Sequence, residues 1–320
     1  MADFLGIDIG GTKIAGAVVT AQGRVLRRAD IPTPAQQGGA HVLEAALALA
    51  DSLCAGVPIK AVGIGAGGQI DPVGGVVLSA TNLLPGWAGI DIKTAFAQSL
   101  GVPAFVDNDV NALAMGEARF GAAQGLPTVV FLAVGTGLGG ALLIGGKLHH
   151  GAHGGGGEFG HLLLSMDAEA RTDGGGHVGT WEAYVSGPGL ARTYREIAGE
   201  DVPCLTGHEI ALAAQNNPDS PAARAIAQTG EYLGYGLVSL ANTLDPDLII
   251  IGGGLAALGD ALIVPARAVL RARALPHGAQ CPVVCAALGA DANVVGAASL
   301  AMAPARQPPF TTTHYPIIIF

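Results

Sequence analysis

The sequence predicts an α/β protein in two halves. Three observations carry that reading. Short Ile- and Val-rich stretches alternate with longer runs of helix formers, the pattern of layered α/β folds. Strand, glycine turn and strand occur twice, near residues 4 and 129, as a weak internal repeat. The length of 320 residues suits about two domains. Half the residues are hydrophobic, which excludes disorder. The 50 glycines cluster instead of recurring every third residue, which excludes collagen.

Residues 4–9 (FLGIDI) and 14–19 (IAGAVV) read as two strands of a hairpin around Gly10-Gly11-Thr12-Lys13. Residues 24–29 follow as a third strand, and 41–53 (HVLEAALALADSL) are strong helix formers. Strands are expected near 59–66 and 74–79, then a helix at 91–100 capped by Asp91. A short strand at 104–107 and a helix at 109–119 come next. The second half opens with strands at 128–134 and 140–144, and a third at 147–150. After residue 180 the chain turns mainly helical. Ser220-Pro221 supplies a cap and a first-turn proline, and Asp245-Pro246 stops that helix near Leu244. A buried-type strand at 247–251 leads through Gly252-Gly253-Gly254 to a helix near 260–273. A strand at 283–286 precedes a last helix at 292–303. The tail 304–320 reads as a docking arm or a disordered end.

Sixteen Lys and Arg against 25 Asp and Glu give a net charge of −9 with no basic window. That is the wrong sign for a phosphate backbone, so nucleic acid is not an expected partner. Cys54, Cys204, Cys281 and Cys285 are scattered and read as core thiols, which fits a reducing, cytoplasmic setting. Asp3 and Asp8 interrupt the N-terminal apolar stretch, so no secretory signal is read there. The uncharged stretch 120–146 is long enough to span a bilayer. Its central glycines favour two strands and a turn, and no membrane partner is expected.

Asp8 ends a strand, and Gly10, Gly11, Thr12 and Lys13 follow it. Glycine lets backbone N–H groups approach a phosphate, Thr and Lys add donors, and Asp can hold Mg²⁺ or its waters. An ordinary hairpin with a surface lysine is the plainer reading. Gly135 to Gly140 satisfies G-x-G-x-x-G, but no helix opens there, so a dinucleotide site is rejected. A second glycine turn suited to phosphate remains, at Gly135, Thr136 and Gly137. Gly252-Gly253-Gly254 is either a helix N-terminus that takes part of a nucleotide or a tight turn. No G-x-x-x-x-G-K-[ST] is present, which excludes a P-loop. Asp109, after Asn108, is either a helix cap or a general base. The run 149–161, with four histidines and Glu158, reads as a metal cluster or as plain polar loop residues. Glu182 reads as a solvated helical residue or a ligand contact.

Taken together, these motifs resemble the ROK family (repressors, open reading frames and kinases), specifically its sugar kinases. The resemblance runs from residue 4 to about 300 in unbroken order. Asp8 to Lys13 resembles the family's phosphate motif, and Asn82-Leu83 with Trp87 its N-L-x-x-W segment. Asn108, Asp109, Asn111, Gly116 and Glu117 resemble its most specific block. Gly135 to Gly140 resembles the second phosphate loop, and Glu158 to His161 the E-x-G-H hexose signature. Glu182 with Ser186-Gly187 matches the segment after the family's zinc loop.

The resemblance implies an actin-like ATPase (ribonuclease H-like) fold, with two lobes around a central cleft. Residues 1–117 with 292–320 would form the small lobe and 118–291 the large one, with hinges near 117–127 and 288–294. It implies transfer of phosphate from ATP, with Mg²⁺, to the 6-hydroxyl of a hexose, glucose first. Asp109 would take the hydroxyl proton, and Asn82, Asn108, Glu158, His161 and Glu182, with Gly68 and Gln69, would hold the sugar. Glycines 63–68 and 151–157 fall on that side. Asp8, Gly10, Gly11, Thr12, Lys13, Gly135, Thr136, Gly137, Gly253 and Gly254 would serve the nucleotide, Asp8 by supporting Mg²⁺ directly or through water. A homodimer is implied as well. Kinases of N-acetylmannosamine, N-acetylglucosamine, mannose or fructose are the alternatives in class, and a non-catalytic sugar-binding regulator the alternative outside it. Many relatives bind zinc through three Cys and the E-x-G-H histidine. Here Asp173, Gly175 and Thr180 occupy the Cys positions. No structural zinc is expected, and His161 is expected to be oriented by a hydrogen bond instead. The repressor branch carries an added N-terminal DNA-binding domain, for which the motif at Asp8 leaves no expected room.

Overall fold

The structure is a computed structural model that describes residues 3–80, 84–199, 201–215 and 217–302. Asn82 and the tail 304–320 lie outside the described residues. Two five-stranded sheets organise the chain. In the first, β1 (Asp3–Ile9), β2 (Lys13–Val19) and β3 (Val25–Pro32) form an antiparallel meander. Parallel to β1 come β4 (Ile59–Ala66) and, after the small ladder β5 (Gln69–Ile70) and β6 (Val77–Ser79), the strand β7 (Ala104–Asn108). The order is β3-β2-β1-β4-β7. The second sheet repeats the scheme with β8 (Val129–Val134), β9 (Leu138–Ile144), β10 (Lys147–Leu148), β11 (Leu248–Gly252) and β12 (Val283–Cys285). Its order is β10-β9-β8-β11-β12, again with two antiparallel pairs followed by two parallel ones. The repeat seen in the residues thus extends to whole sheets.

Helices cover the sheets. On the first, α1 (Gly39–Cys54) and α2 (Ile92–Leu100) bury Val42, Ala46 and Phe96 with Trp87. On the second, α4 (Gly187–Ala198), α5 (Gly207–Ala214), α6 (Pro221–Leu244) and α7 (Asp260–Arg273) enclose a core around Trp181, Leu237 and Ile249. The last helix, α8 (Ala292–Leu300), returns to the first sheet, where Val294 and Ala298 meet Ala15, Ala17 and Val19. This contact is backbone-close. A Cβ on Gly63 would sit 1.8 Å from the Ala297 carbonyl oxygen. Gly63 is therefore a packing glycine and not a lining of the sugar site.

The helix α3 (Asp109–Phe120) packs on both halves. Ala114 joins Phe131, Leu143 and Ile250 of the second sheet, while Gly116 crosses α8 at Gly296. The chain passes between the sheets after α3 and again before α8, and both passages bind one side chain. Glu117, 1% exposed, accepts the Ala122 N–H on Oε2 at 2.8 Å. Its Oε1 accepts the N–H groups of Ala287 at 2.8 Å and Leu288 at 3.0 Å. A Cβ on Gly121 would fall 2.0 Å from Oε2, so glycine is required there.

Several boundaries differ from expectation. The strand near 74–79 shrinks to β6, because the chain turns at Asp71 and Gly75 before it. The last helix ends at Leu300. Gly254–Leu258 is a 3-10 turn, and α7 begins only at Asp260 after Gly259 at φ 55°. No α-helix opens on Gly252-Gly253-Gly254, so the helix-terminus reading of that run is corrected. The core-thiol reading holds in part, for Cys54 and Cys281 pack against the edges of the two cores while Cys204 and Cys285 do not. Cys204 and Cys285 are exposed, Cys54 and Cys281 half-buried, and all four are free. Among the described residues no helix is long and apolar enough to cross a membrane.

Candidate active site

The register of the first sheet aligns Asp8 with Gly65, Gly65 with Asp107, and Ala66 with Asn108. All sit at the carboxyl ends of parallel strands, where open α/β sheets bind ligands. Gly65 lets the start of α3 close on the sheet. A Cβ there would lie 3.4 Å from the Asp109 Cα and 3.6 Å from Asp8 Oδ1. Asp8 and Asp109 are thereby neighbours. Burial, and then the charge of Asp8, push the Asp109 carboxyl up to about 6, while the Val110 N–H pulls the other way. Burial also raises Asp8, against a 2.7 Å hydrogen bond from Asn293 Nδ2 and the charge of Lys13. The cap of α3 is Asn108, whose Oδ1 accepts the Val110 N–H at 2.9 Å. Asp109 is the first helical residue and only shares that donor.

Asn108 also donates from Nδ2 to the Gly68 carbonyl at 2.9 Å. Gly68 stands at φ 101°, and a Cβ there would meet the Ser79 carbonyl at 2.4 Å. Gln69 donates to the His153 carbonyl at 3.3 Å, and Trp87 Nε1 to the Gly67 carbonyl at 3.1 Å. Asp107, which sequence reasoning passed over, is 6% exposed and collects three donors. They are Asn108 N at 2.8 Å, Asn111 Nδ2 at 2.7 Å and His150 Nε2 at 2.7 Å.

The two glycine turns are both hairpins. In the first, Gly10 N donates to the Lys13 carbonyl at 3.0 Å, which leaves Thr12 and Lys13 exposed at the tip. The second approaches the start of α3, since a Cβ on Gly139 would lie 2.8 Å from Val110 Cγ2. Gly137 makes room for Glu182, whose Oε2 accepts the Leu138 N–H at 2.8 Å. Glu182 lies in a turn before α4 rather than in a helix. A cavity of about 990 Å³ opens beside the second turn, lined by Thr136, Gly254, Leu205, His208, Leu212 and Leu258 among others. It is large enough for a nucleoside. Gly253 does not line it. At φ 82°, with the Val134 carbonyl 2.5 Å from where its Cβ would be, Gly253 packs on β8.

Glu158 precedes and His161 ends a 3-10 turn, Phe159–His161, and both are exposed. His161 Nδ1 is 3.9 Å from Asp173 Oδ2, beyond hydrogen-bond reach. The expected hydrogen bond to His161 is therefore not made with Asp173, whose carboxylate bonds to nearer donors. Asp173 accepts from Thr180 Oγ1 at 2.8 Å, and from Gly175 N and His177 N at 2.9 Å each. Burial opposes its ionisation, but these bonds outweigh burial and hold its pKa below the usual value. The His177 ring meets His161 edge-on at 4.9 Å instead. The ligand atoms of His161, Asp173 and His177 lie within 4.8 Å of one another. That is a closer set than the sequence suggests, yet a closed structural zinc site takes four protein ligands. Among the described residues no fourth His, Cys, Asp or Glu joins them.

Residues 4–303 match the ROK family profile. The chain belongs to the ROK family. A glucokinase of Streptomyces coelicolor is 35% identical over 317 residues, covering 94% of this chain and 98% of that one. The crystal structure of a ROK family glucokinase from Streptomyces griseus in complex with glucose and AMPPNP is similar, with a TM-score of 0.80 at 35% identity. It covers 93% of this chain and 99% of that chain. A ROK hexokinase from Thermus thermophilus gives 0.77 at 34% identity, over 93% and 97%. The actin-like ATPase fold of ROK sugar kinases is therefore the fold of this chain.

Proposed function

We propose that this ROK protein is an ATP-dependent hexose kinase acting on the 6-hydroxyl, with glucose as its substrate. The observation that carries the reading is Asp109. It is a carboxyl group at the start of α3, raised to about 6, beside Asp8 of the first hairpin's leading strand and next to Val110, which meets the second hairpin at Gly139. A base is most effective when its pKa lies near the working pH. Asp109 accepts the hydroxyl proton as the sugar oxygen bonds to the γ-phosphorus. The bond from phosphorus to the bridging oxygen breaks, and its electron pair leaves on ADP. Asn108, Glu158, His161 and Glu182, with Gly68 and Gln69, hold the sugar. Gly10 to Lys13 and Gly135 to Gly137 approach the phosphates, and the cavity beside Thr136 takes the nucleoside. This division suits phosphoryl transfer, which needs mainly positioning and charge neutralisation.

Asp8 and Asp109 repel each other, so a cation beside Asp8 fits the electrostatics of the site. Magnesium, when bound, neutralises phosphate charge there, with Asp8 as its protein ligand directly or through water. The proposal takes the lobes as 1–117 with 292–320 and 118–291, and the protein as a cytoplasmic homodimer without structural zinc. ADP release from the purified protein, measured with ATP and a panel of hexoses, tests the activity. The highest kcat/KM should fall on glucose. Sugar-independent or absent turnover from folded protein overturns the reading.

A further inference from the structure

We propose that His150 is a positioning residue whose bond to Asp107 registers the sugar-binding loop of the second sheet against Asn108 and Asp109 of the first. This rests on the kinase reading above. The sugar site draws on two sheets, with Asn108 and Asp109 beside β7, and Glu158 and His161 in the loop after β10. Something must fix one set relative to the other to within a fraction of an ångström. Asp107 Oδ1 is committed within the first half, to Asn108 N and Asn111 Nδ2. Its Oδ2 faces the other half and receives His150 Nε2 at 2.7 Å. Asp107 is 6% exposed, so loss of that partner would leave a carboxylate oxygen buried and unpaired. The hydrogen bond to Asp107 in turn lifts the imidazole pKa, against the burial that lowers it.

The loop from His150 to Glu158 can transmit a fixed position because it has almost no slack. Gly156 N donates back to the His150 carbonyl at 2.8 Å. A Cβ on Gly156 would sit 2.5 Å from the His149 carbonyl oxygen. One on Gly157 would sit 2.8 Å from the Gly140 carbonyl of β9. Gly151, Gly154 and Gly157 hold φ of 72°, 77° and 98°, which side-chain residues rarely adopt. A movement of His150 therefore carries Glu158 with it. The Gln69 bond to the His153 carbonyl is a second, longer tie between the same halves.

The test compares wild type, His150→Ala and His150→Gln, measuring glucose KM, ATP KM and kcat, and glucose affinity by calorimetry. His150→Ala should raise glucose KM and weaken glucose binding by about tenfold, the scale of a lost bond to a charged group, with ATP KM unchanged. His150→Gln keeps a donor near the Nε2 position and should restore both to within about threefold of wild type. A wild-type glucose KM in the alanine variant overturns the proposal. So does a glutamine variant no better than alanine, or an ATP KM that rises in step with that for glucose. Wild-type protein that binds glucose without releasing ADP refutes the kinase reading alone, and the binding arm then decides the role of His150. Wild-type protein that binds no glucose refutes both.

Discussion

Glu117 gives the sharpest test of how the two halves are joined. Its carboxylate receives three backbone N–H groups from both passages between the sheets, at a position 1% exposed. Glu117→Gln keeps one acceptor oxygen. With that oxygen toward Ala287 and Leu288, an NH₂ group faces the Ala122 N–H, so one bond is lost and two donors are opposed. The cost should be about 2 kcal/mol. Glu117→Ala removes all three acceptor contacts. Ala287 is exposed, so water can satisfy its donor, and the half-buried donors of Ala122 and Leu288 remain uncompensated. That is about 4 kcal/mol. At roughly 2.1 cal/mol/K per residue, unfolding entropy for this length converts these costs to melting shifts of about 3 °C and about 6 °C. Scanning calorimetry of the ligand-free protein reads both. A glutamine variant melting within about 1 °C of the parent would refute the reasoning.

Other outcomes follow from the site. Asp109→Asn should leave glucose binding largely intact by calorimetry while lowering kcat by about 10² or more; near-wild-type turnover removes the base from its role. The free-enzyme kcat/KM should be flat above about pH 6 and fall below it, because Asp109 must be deprotonated to accept a proton and its pKa is raised to about 6. An acid limb near pH 4, the ordinary carboxylate range, would contradict that environment. Glu158→Gln should act mainly on glucose KM, as loss of a contact already made in the ground state, with kcat little changed. Elemental analysis should find no stoichiometric zinc in purified protein, and one zinc per chain would overturn the reading of Asp173 as a hydrogen-bond hub.

Much of the fold was legible because its signals are local. The hairpin around Gly10-Gly11, the Asp91 cap and the Ser220-Pro221 start are each decided within a few residues, and all three stand in the structure. The site was legible only where motif and position coincide, as at Asn108-Asp109. What escaped depends on distance along the chain. Asn293 reaches Asp8 from 285 residues away, and only the return of α8 to the first sheet brings it there. His150 stood among four histidines with nothing in the sequence to single out the one facing Asp107. Gly63 was misjudged for the same reason. Gly63 and Gly65 sit two residues apart in one strand, yet one admits α8 and the other α3. A sequence cannot say which backbone a missing side chain makes room for.

The proposed base and the junction of the two passages share one helix, with a leverage that follows. Asp109 and Glu117 are eight residues apart in α3, about 12 Å along its axis. If one half swings against the other about the Glu117 carboxylate, Asp109 sits on a short lever arm. A swing of about 10°, smaller than known subunit rotations, displaces a point 12 Å away by about 2 Å. Groups at the far lip travel in proportion to their own, longer radius. Closing would thus sweep the outer loops through a wider arc than Asp109, and a displacement at the rim would reach the reacting oxygen scaled down by the ratio of the two arms.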